Sequence, residues 1–300
     1  MSCDSCPKDE LNPLITVIVP SYNHRRYITE CLNSIKNQTY HNFQWIVVDD
    51  GSKDGSQDFL KEKQEEYGYE LYLQKNKGVS ATLTDMIKNH AKGKYIACCA
   101  SDDKWLPEKL QIQIDYMENH PECAMCFGRT YSMDENSRIT GEDNEFVRYY
   151  RGGKVFDDII TQRFHPPVNY MIRRDVLAAI GFFPQGVIAE DFYMNCKISH
   201  DYELGYIPRF LGYYRIAPLQ KKRDPLLMLK SHEETILHFK EESIFNKALL
   251  LHQVRVFCTL SYFTKYKFLS LKYLTSTIKI GDFKHLLRGV YNLFIHWYSC

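Results

Sequence analysis

Two aspartate doublets stand where apolar runs stop: Asp49-Asp50 directly after Trp45-Ile-Val-Val48, and Asp102-Asp103 shortly after Tyr95-Ile-Ala-Cys98. Two like charges side by side are costly unless a cation or hydrogen-bond donors offset them. At the end of a buried strand, such a pair puts charge at the mouth of a sheet, where open α/β proteins bind ligands and hard divalent cations. The pattern therefore points to an enzyme.

The elements that must position these carboxylates are legible in the hydrophobic period. Short runs rich in β-branched and aromatic residues predict strands at Ile15–Pro20, Phe43–Asp49, Glu70–Gln74, Tyr95–Cys99 and Ala124–Tyr131. Segments of helical period fit between them at Arg25–Asn37, Ser56–Tyr67, Ser80–His90 and Pro107–Asn119. Strand and helix in regular alternation predict an α/β fold: a mostly parallel sheet flanked by helices, with ligands beyond the strand C-terminal ends. Past Tyr131 the rhythm breaks. Asp134–Glu145 reads as a polar, acidic loop, Val155–Arg163 as a helix, Val168–Ile172 as a strand, and Arg174–Ala179 and Phe192–Ser199 as helices. From about Leu226 onward the chain reads as amphipathic helices rich in aromatics. The expected organisation is a leader over 1–13, a sheet domain over 14–220 and a C-terminal helical appendage over 221–300.

The net charge of +1 hides an asymmetry: residues 221–300 carry 13 Lys and Arg against 6 Asp and Glu, so the first 220 residues are net acidic. That distribution disfavours nucleic acid as a partner, and no nucleic-acid-binding module is recognisable. No run reaches the roughly 18–20 apolar residues of a bilayer span, and the start lacks a secretory pattern. The expectation is a cytoplasmic protein with reduced thiols, peripheral at the inner face of the membrane if its tail binds lipid. Cys3-x-x-Cys6 and Cys123-x-x-Cys126 are not read as a zinc site, because alternate residues of the strand carrying the second pair face opposite ways.

Taken in order, Ile18-Val-Pro-Ser-Tyr-Asn-His24, the stretch Cys31 to Tyr40, Ile46 to Ser56, Gly93-Lys-Tyr-Ile96 and Ser101 to Leu110 resemble the family 2 glycosyltransferases of the GT-A (Rossmann-like) fold. The resemblance covers roughly Leu14 to Pro218. It implies that Pro20 and Tyr22 flank the nucleobase of a nucleotide-sugar donor, that Asp50 accepts a hydrogen bond from the base, and that Asp102 lies by the ribose or the metal's water shell. By the same match Asp103 ligates Mg²⁺ or Mn²⁺, Asp191 is the general base and its neighbour Glu190 orients the acceptor. A hard cation offsets charge on the departing diphosphate, and a single base opposite it implies inversion. Three departures are visible: Ala100 stands where many relatives have a further Asp, Leu83-Thr84 where an Arg-Asn pair is common, and Ala217 where a His is common. The last leaves Arg215 as a candidate diphosphate contact.

The resemblance implies hexose transfer, with a UDP-sugar the expected donor, to a hydroxyl of a glycan or lipid-linked glycan in surface polysaccharide synthesis. The alternative reading is a catalytically silent relative that binds glycan or scaffolds a partner. His24 and His165 read as ordinary surface or hydrogen-bonded histidines, and Asp54 and Asp58 as turn and helix-start residues. Leu269–Ile280 and Phe283–Trp297 interleave Lys and Arg with aromatics and aliphatics, which fits either packing, homodimerisation included, or contact with an anionic membrane.

Overall fold

The computed structural model describes residues 12–142, 147–216, 224–280 and 283–294. Cys3, Cys6, nearly all of the leader, Ala217 and the end of the last helix anticipated from sequence lie outside the described residues. The chain divides into two compact units. One takes the residues up to Val155 with Pro166–Gly186 and Lys197–Ile216; the other takes Phe156–His165, Val187–Cys196 and the described residues beyond Ile216.

The first unit alternates strand and helix through β1 (Ile15–Ser21), α1 (Ile28–Lys36), β2 (Phe43–Asp49), α2 (Ser56–Tyr67), β3 (Glu70–Leu73), α3 (Val79–Asn89) and β4 (Tyr95–Cys98). Then come β5 (Lys104–Trp105), α4 (Lys109–Asn119), β6 (Cys123–Met133) and β7 (Ile139–Glu142). Nine strands among the described residues form one sheet in the order β3-β2-β1-β4-β8-β6-β9-β5, with β7 beside β6; β8 is Met171–Arg173 and β9 is Glu203–Arg215. β1 is central because Ile15, Val17, Ile18 and Val19 are wholly buried, which is why it reads as a continuous apolar run. It pairs in parallel with β2 and β4, and β2 with β3; beyond β4 the sheet is mixed, antiparallel at β4–β8 and β8–β6 and parallel at β6–β9.

Helix α1 buries Ile28, Cys31, Leu32 and Ile35, the i, i+3, i+4, i+7 stripe of an amphipathic helix, against the sheet. Each such aliphatic side chain contributes roughly 1.5–3 kcal/mol on full burial. The thiols of Cys123 and Cys126 on β6 are free and buried in the core.

Besides the short β5, which the sequence reading lacks, two elements differ from the sequence expectation. Asp134 to Glu142 forms a hairpin rather than a loop: the Asp134 carboxylate accepts the N–H groups of Asn136 and Arg138, and β7 pairs with β6. The thirteen-residue β9 is not anticipated, because Pro208, Gly205 and Gly212 read as strand breakers. The structure accommodates Pro208 in an irregularity where the register against β6 shifts near Gly128 and Arg129.

The second unit holds α5 (Phe156–Ile160) and the start of α7 (Glu190–Asp201), with α8 (Pro225–His238), α9 (Phe245–Leu260), α10 (Lys267–Ser270), α11 (Leu274–Ile280) and α12 (Phe283–Phe294). Helix α6 (Arg174–Ala179) belongs to the first unit. α8 starts at a built boundary, with the Asp224 side chain accepting the Leu226 N–H and Pro225 in the first turn. Among the described residues no helix is long and apolar enough to cross a membrane.

Candidate active site

In the first unit the site begins where β1 and β2 end level with each other, Ser21 opposite Asp49. Asp49 is committed to local structure: its carboxylate accepts the backbone N–H and hydroxyl of Ser52 and the amide of Gln57. Asp50 faces the next connection. Its Oδ1 accepts from Gln74 Nε2 at 2.8 Å and Lys77 N at 2.9 Å, and its Oδ2 from Gly78 N at 2.9 Å. A carboxylate offers about four acceptor positions, so these three bonds leave about one unused among the described residues. Gly51 makes this packing possible: at φ +81° it turns where a Cβ would lie 2.8 Å from Asn76 N. Tyr22 is 47% exposed, so its ring is presented at the surface rather than packed in the core. The loop bearing it is tied down by Asn23, whose N–H donates to Ser52 Oγ and whose side-chain carbonyl accepts from Lys53 N.

The second doublet follows β4. Asp102 and Asp103 are both buried, and burial together with the Asp102 charge pushes the Asp103 carboxyl well above the usual carboxylate range, against the pull of Arg215. Asp103 Oδ1 accepts the backbone N–H of Arg215 at 2.8 Å. His24 Nδ1 lies 2.8 Å from Ser101 Oγ and 3.8 Å from Asp102 Oδ1, which ties the β1 loop to the carboxylate pair.

Arg215, at the last position of β9, is fully buried. Its Nε donates to the Asp102 carbonyl at 2.7 Å, and one terminal nitrogen donates to the Asp134 carbonyl at 3.0 Å and Ser137 Oγ at 2.9 Å. The other terminal nitrogen is 3.5 Å from Glu30 Oε2, and the guanidinium lies 4.3 Å over the Tyr27 ring. Burial works against the Glu30 carboxylate, but Ser137, Lys104 and Arg215 outweigh it and hold its pKa below the usual value. The guanidinium is thus directed into protein, fastening α1, the β6–β7 turn and the Asp102-Asp103 backbone together. Sequence reasoning placed Arg215 at the site but missed Glu30, Ser137 and Tyr27, which are separated from it by up to 188 positions and carry no local signal.

In the second unit, Glu190 and Asp191 open α7. Asp191 is exposed and its Oδ1 accepts the Phe192 N–H at 2.8 Å, so the carboxylate sits at a helix N-terminus, where negative charge is favourable. The preceding turn is held by Ser231 of α8, whose hydroxyl accepts the N–H groups of Ile188 and Ala189. Behind Asp191 runs a row of rings: Phe192 lies 4.7 Å from His232 and 5.3 Å from His165, and His232 lies 6.3 Å from His252. His165 is therefore a packed histidine of the second unit.

Burial, reinforced by His232 and Arg255, depresses His165 and His252 to about 3. Both are neutral when folded and ionise near 6.5 when unfolded, so their contribution to stability is fully present above about pH 6.5 and is lost as pH falls toward 3. Each histidine can contribute a slope of up to about 1.4 kcal/mol per pH unit in that window. Urea melts at pH 7.5 and 5.5 are expected to show a clear loss at the lower pH, and His252→Gln should reduce that difference. An unchanged difference would remove His252 from the account.

Among the described residues no group of three or more His, Cys, Asp or Glu is arranged to hold a metal by itself. The buried Asp102-Asp103 pair nonetheless fits a cation of the kind that takes one or two carboxylates from protein and its other ligands from phosphate and water.

Against known proteins, the model of the family described as Glycosyl transferase family 2 matches residues 16–181, more than half of the chain. A Bacillus subtilis protein, TuaG, whose name assigns it as a proposal to teichuronic acid biosynthesis as a glycosyltransferase, is 38% identical over 117 residues, covering 38% of this chain and 46% of that protein. The fold matches Staphylococcus aureus TarS 1–349, solved in complex with UDP-GlcNAc, at a TM-score of 0.65 and 20% identity over 81% of this chain and 72% of that one. It also matches the mannosyltransferase PcManGT of Pyrobaculum calidifontis, solved with GDP-Man and Mn²⁺, at a TM-score of 0.61 and 17% identity over 97% and 90%. At those identities the structures establish the GT-A fold, and the family match over the strands that carry both aspartate doublets establishes the class: the chain belongs to glycosyl transferase family 2 and is a glycosyltransferase.

Proposed function

We propose that the protein transfers a hexose from a UDP-sugar to a hydroxyl of a glycan or lipid-linked glycan, with inversion, in polysaccharide synthesis. The observation that carries the reading is the Asp102-Asp103 pair, two buried carboxylates whose mutual repulsion a divalent cation would relieve. In this reading Pro20 and the exposed Tyr22 ring flank the base, the open acceptor position of Asp50 receives a base N–H, and Asp102 lies by the ribose. Asp103 would hold Mn²⁺ or Mg²⁺, and a cation bound there supplies positive charge to the leaving diphosphate. Asp191 takes the proton of the attacking hydroxyl and Glu190 orients the acceptor. The UDP-GlcNAc complex of TarS and the Mn²⁺ complex of PcManGT support the donor class and the cation.

Arg215, expected at the diphosphate, is better assigned to positioning, because it is fully buried, its hydrogen bonds go to Asp102, Asp134 and Ser137, and its other terminal nitrogen, without a hydrogen bond among the described residues, is paired in charge with Glu30. Arg215→Met is expected to weaken Mn²⁺ and UDP binding about tenfold and to cost roughly 2–4 kcal/mol of stability; the figure sits toward the low end for a broken buried pair because Glu30 is partly open to solvent. Arg215→Lys should recover part of the stability but less of the Mn²⁺ affinity, since an ammonium cannot reproduce the planar fork. Equal Mn²⁺ affinity in all three proteins would show that the network is structural alone.

The function is tested by incubating the full chain with Mn²⁺, a panel of UDP-sugars and glycan acceptors, following UDP release and the anomeric configuration of the product. Transfer with inversion is expected. Glycan binding without UDP binding by calorimetry would instead identify a silent relative.

A further inference from the structure

Among the described residues, the second unit leaves one helix with an exposed apolar side. Helix α12 packs on α9 through His285, Gly289 and Asn292, which share a face at i, i+4, i+7 spacing. The contact is close and specific. A Cβ on Gly289 would lie 2.1 Å from a ring carbon of Phe257; Cys258 Sγ donates to the His285 carbonyl at 3.2 Å; Asn292 Nδ2 donates to the Cys258 carbonyl at 3.4 Å. Lys267 Nζ closes the helix by donating to the last-turn carbonyls of Asn292 and Leu293, both at 2.8 Å. These bonds fix the helix about its axis.

At 100° per residue, Leu287, Tyr291 and Phe294 fall on the opposite side, and all three are exposed, Leu287 by 68% and Phe294 by 75%. Lys284 and Arg288, also exposed, run along the edge of that stripe. Nearby in sequence, Phe268 is 90% exposed, with Leu271 and Ile278 also open. Between Ser261 and Phe294 the sequence holds six Lys and Arg against a single acidic residue, Asp282. A contiguous apolar stripe of this kind marks a contact surface rather than an ordinary scatter of surface aliphatics.

We infer that the outer face of α12 is a docking surface for an anionic membrane, with Leu287, Tyr291 and Phe294 in the headgroup and acyl boundary and Lys284 and Arg288 among lipid phosphates. Charge selects this occupant over a second copy. A two-fold dimer would bring in a second copy of the same basic edge, and α12 offers no carboxylate to neutralise either copy. A bilayer surface supplies apolar depth and negative charge together. The interaction is independent of which sugar the other unit handles.

The test is sedimentation of the full chain with phosphatidylcholine vesicles, with and without about 30% phosphatidylglycerol, the anionic component to which each nearby Lys or Arg responds. Binding to the anionic vesicles at least about tenfold tighter than to the neutral ones is expected, weakening with salt. The double variant Leu287→Gln/Phe294→Gln should reduce binding about tenfold, and Lys284→Glu/Arg288→Glu should abolish the preference for anionic lipid. Circular dichroism and melting temperature should be those of the parent, because these side chains are not packed. No binding to either vesicle, or binding that both variants retain, would overturn the inference. So would a dimer in the ultracentrifuge that the Leu287→Gln/Phe294→Gln variant dissociates, since the stripe would then belong to a second copy.

Discussion

Asp103→Asn is expected to reduce sugar transfer by about a thousandfold or more, the several kcal/mol that a metal ion contributes to a charged transition state, while raising the thermal stability of the donor-free protein. The two effects have one cause. Asp103 is buried beside Asp102, and its pKa is pushed up first by burial and then by the neighbouring charge. A carboxyl whose folded pKa lies above its unfolded value contributes stability that is present below the unfolded pKa and is lost as pH rises through the folded one. At neutral pH Asp103 is therefore a net cost to the folded state in the absence of a cation. Asparagine removes the charge and keeps the side-chain oxygen that accepts the Arg215 N–H. Melting temperatures of both proteins, with and without Mn²⁺, check the argument: Mn²⁺ should stabilise only the parent, and the donor-free variant should melt higher, by about 2–4 °C for each kcal/mol relieved. The advantage should shrink as the pH is lowered and Asp103 protonates. A variant that melted lower at neutral pH while still binding Mn²⁺ would show that Asp103 is a packing residue.

The division of labour between the aspartates also shows how far the sequence could be read. The strands β1, β2 and β4 and their helices were legible because each strand is a short, largely buried apolar run with a polar stop, and the parallel register then carries both doublets to one end of the sheet. Which member of a doublet is structural was not legible in the residues themselves; only the family resemblance pointed to Asp50. Asp49 and Asp50 are chemically identical, and only the backbone direction at the end of β2 sends one to Ser52 and Gln57 and the other to Gln74, Lys77 and Gly78. β9 escaped notice because its prolyl and glycyl residues fit an irregular ladder that no local propensity encodes. The Arg215 network escaped for a related reason: its partners come from α1, the β6–β7 turn and the second doublet, and a buried cation finds them only through tertiary packing. The histidine row behind Asp191 is likewise assembled from residues 165, 232 and 252, which no spacing relates.

Asp191→Asn should separate transfer from donor binding more cleanly than any other substitution. The proposed base is exposed, and among the described residues its Oδ1 accepts one hydrogen bond, from Phe192 N, which an asparagine oxygen can keep. The turn before it is held from outside by Ser231, so the start of α7 does not depend on the carboxylate charge. The change should therefore cost no more than about 0.5–1 kcal/mol of stability, the scale of a surface residue at a helix N-terminus. What disappears is the acceptor of the proton released when the sugar hydroxyl attacks. General-base removal costs about 10²–10⁴ in rate, so kcat is expected to fall by that factor, with the KM for donor and the affinity for UDP close to those of the parent. Glu190→Gln gives the contrast, since a residue that orients the acceptor should raise the acceptor KM more than it lowers kcat. Steady-state kinetics varying donor and acceptor separately, beside calorimetry with UDP, distinguish these outcomes. If Asp191→Asn turned over at nearly the parent rate, the proton would have to leave by another group, and a candidate in the second unit is His232, whose pKa is lowered by burial and partly restored by the Asp191 charge.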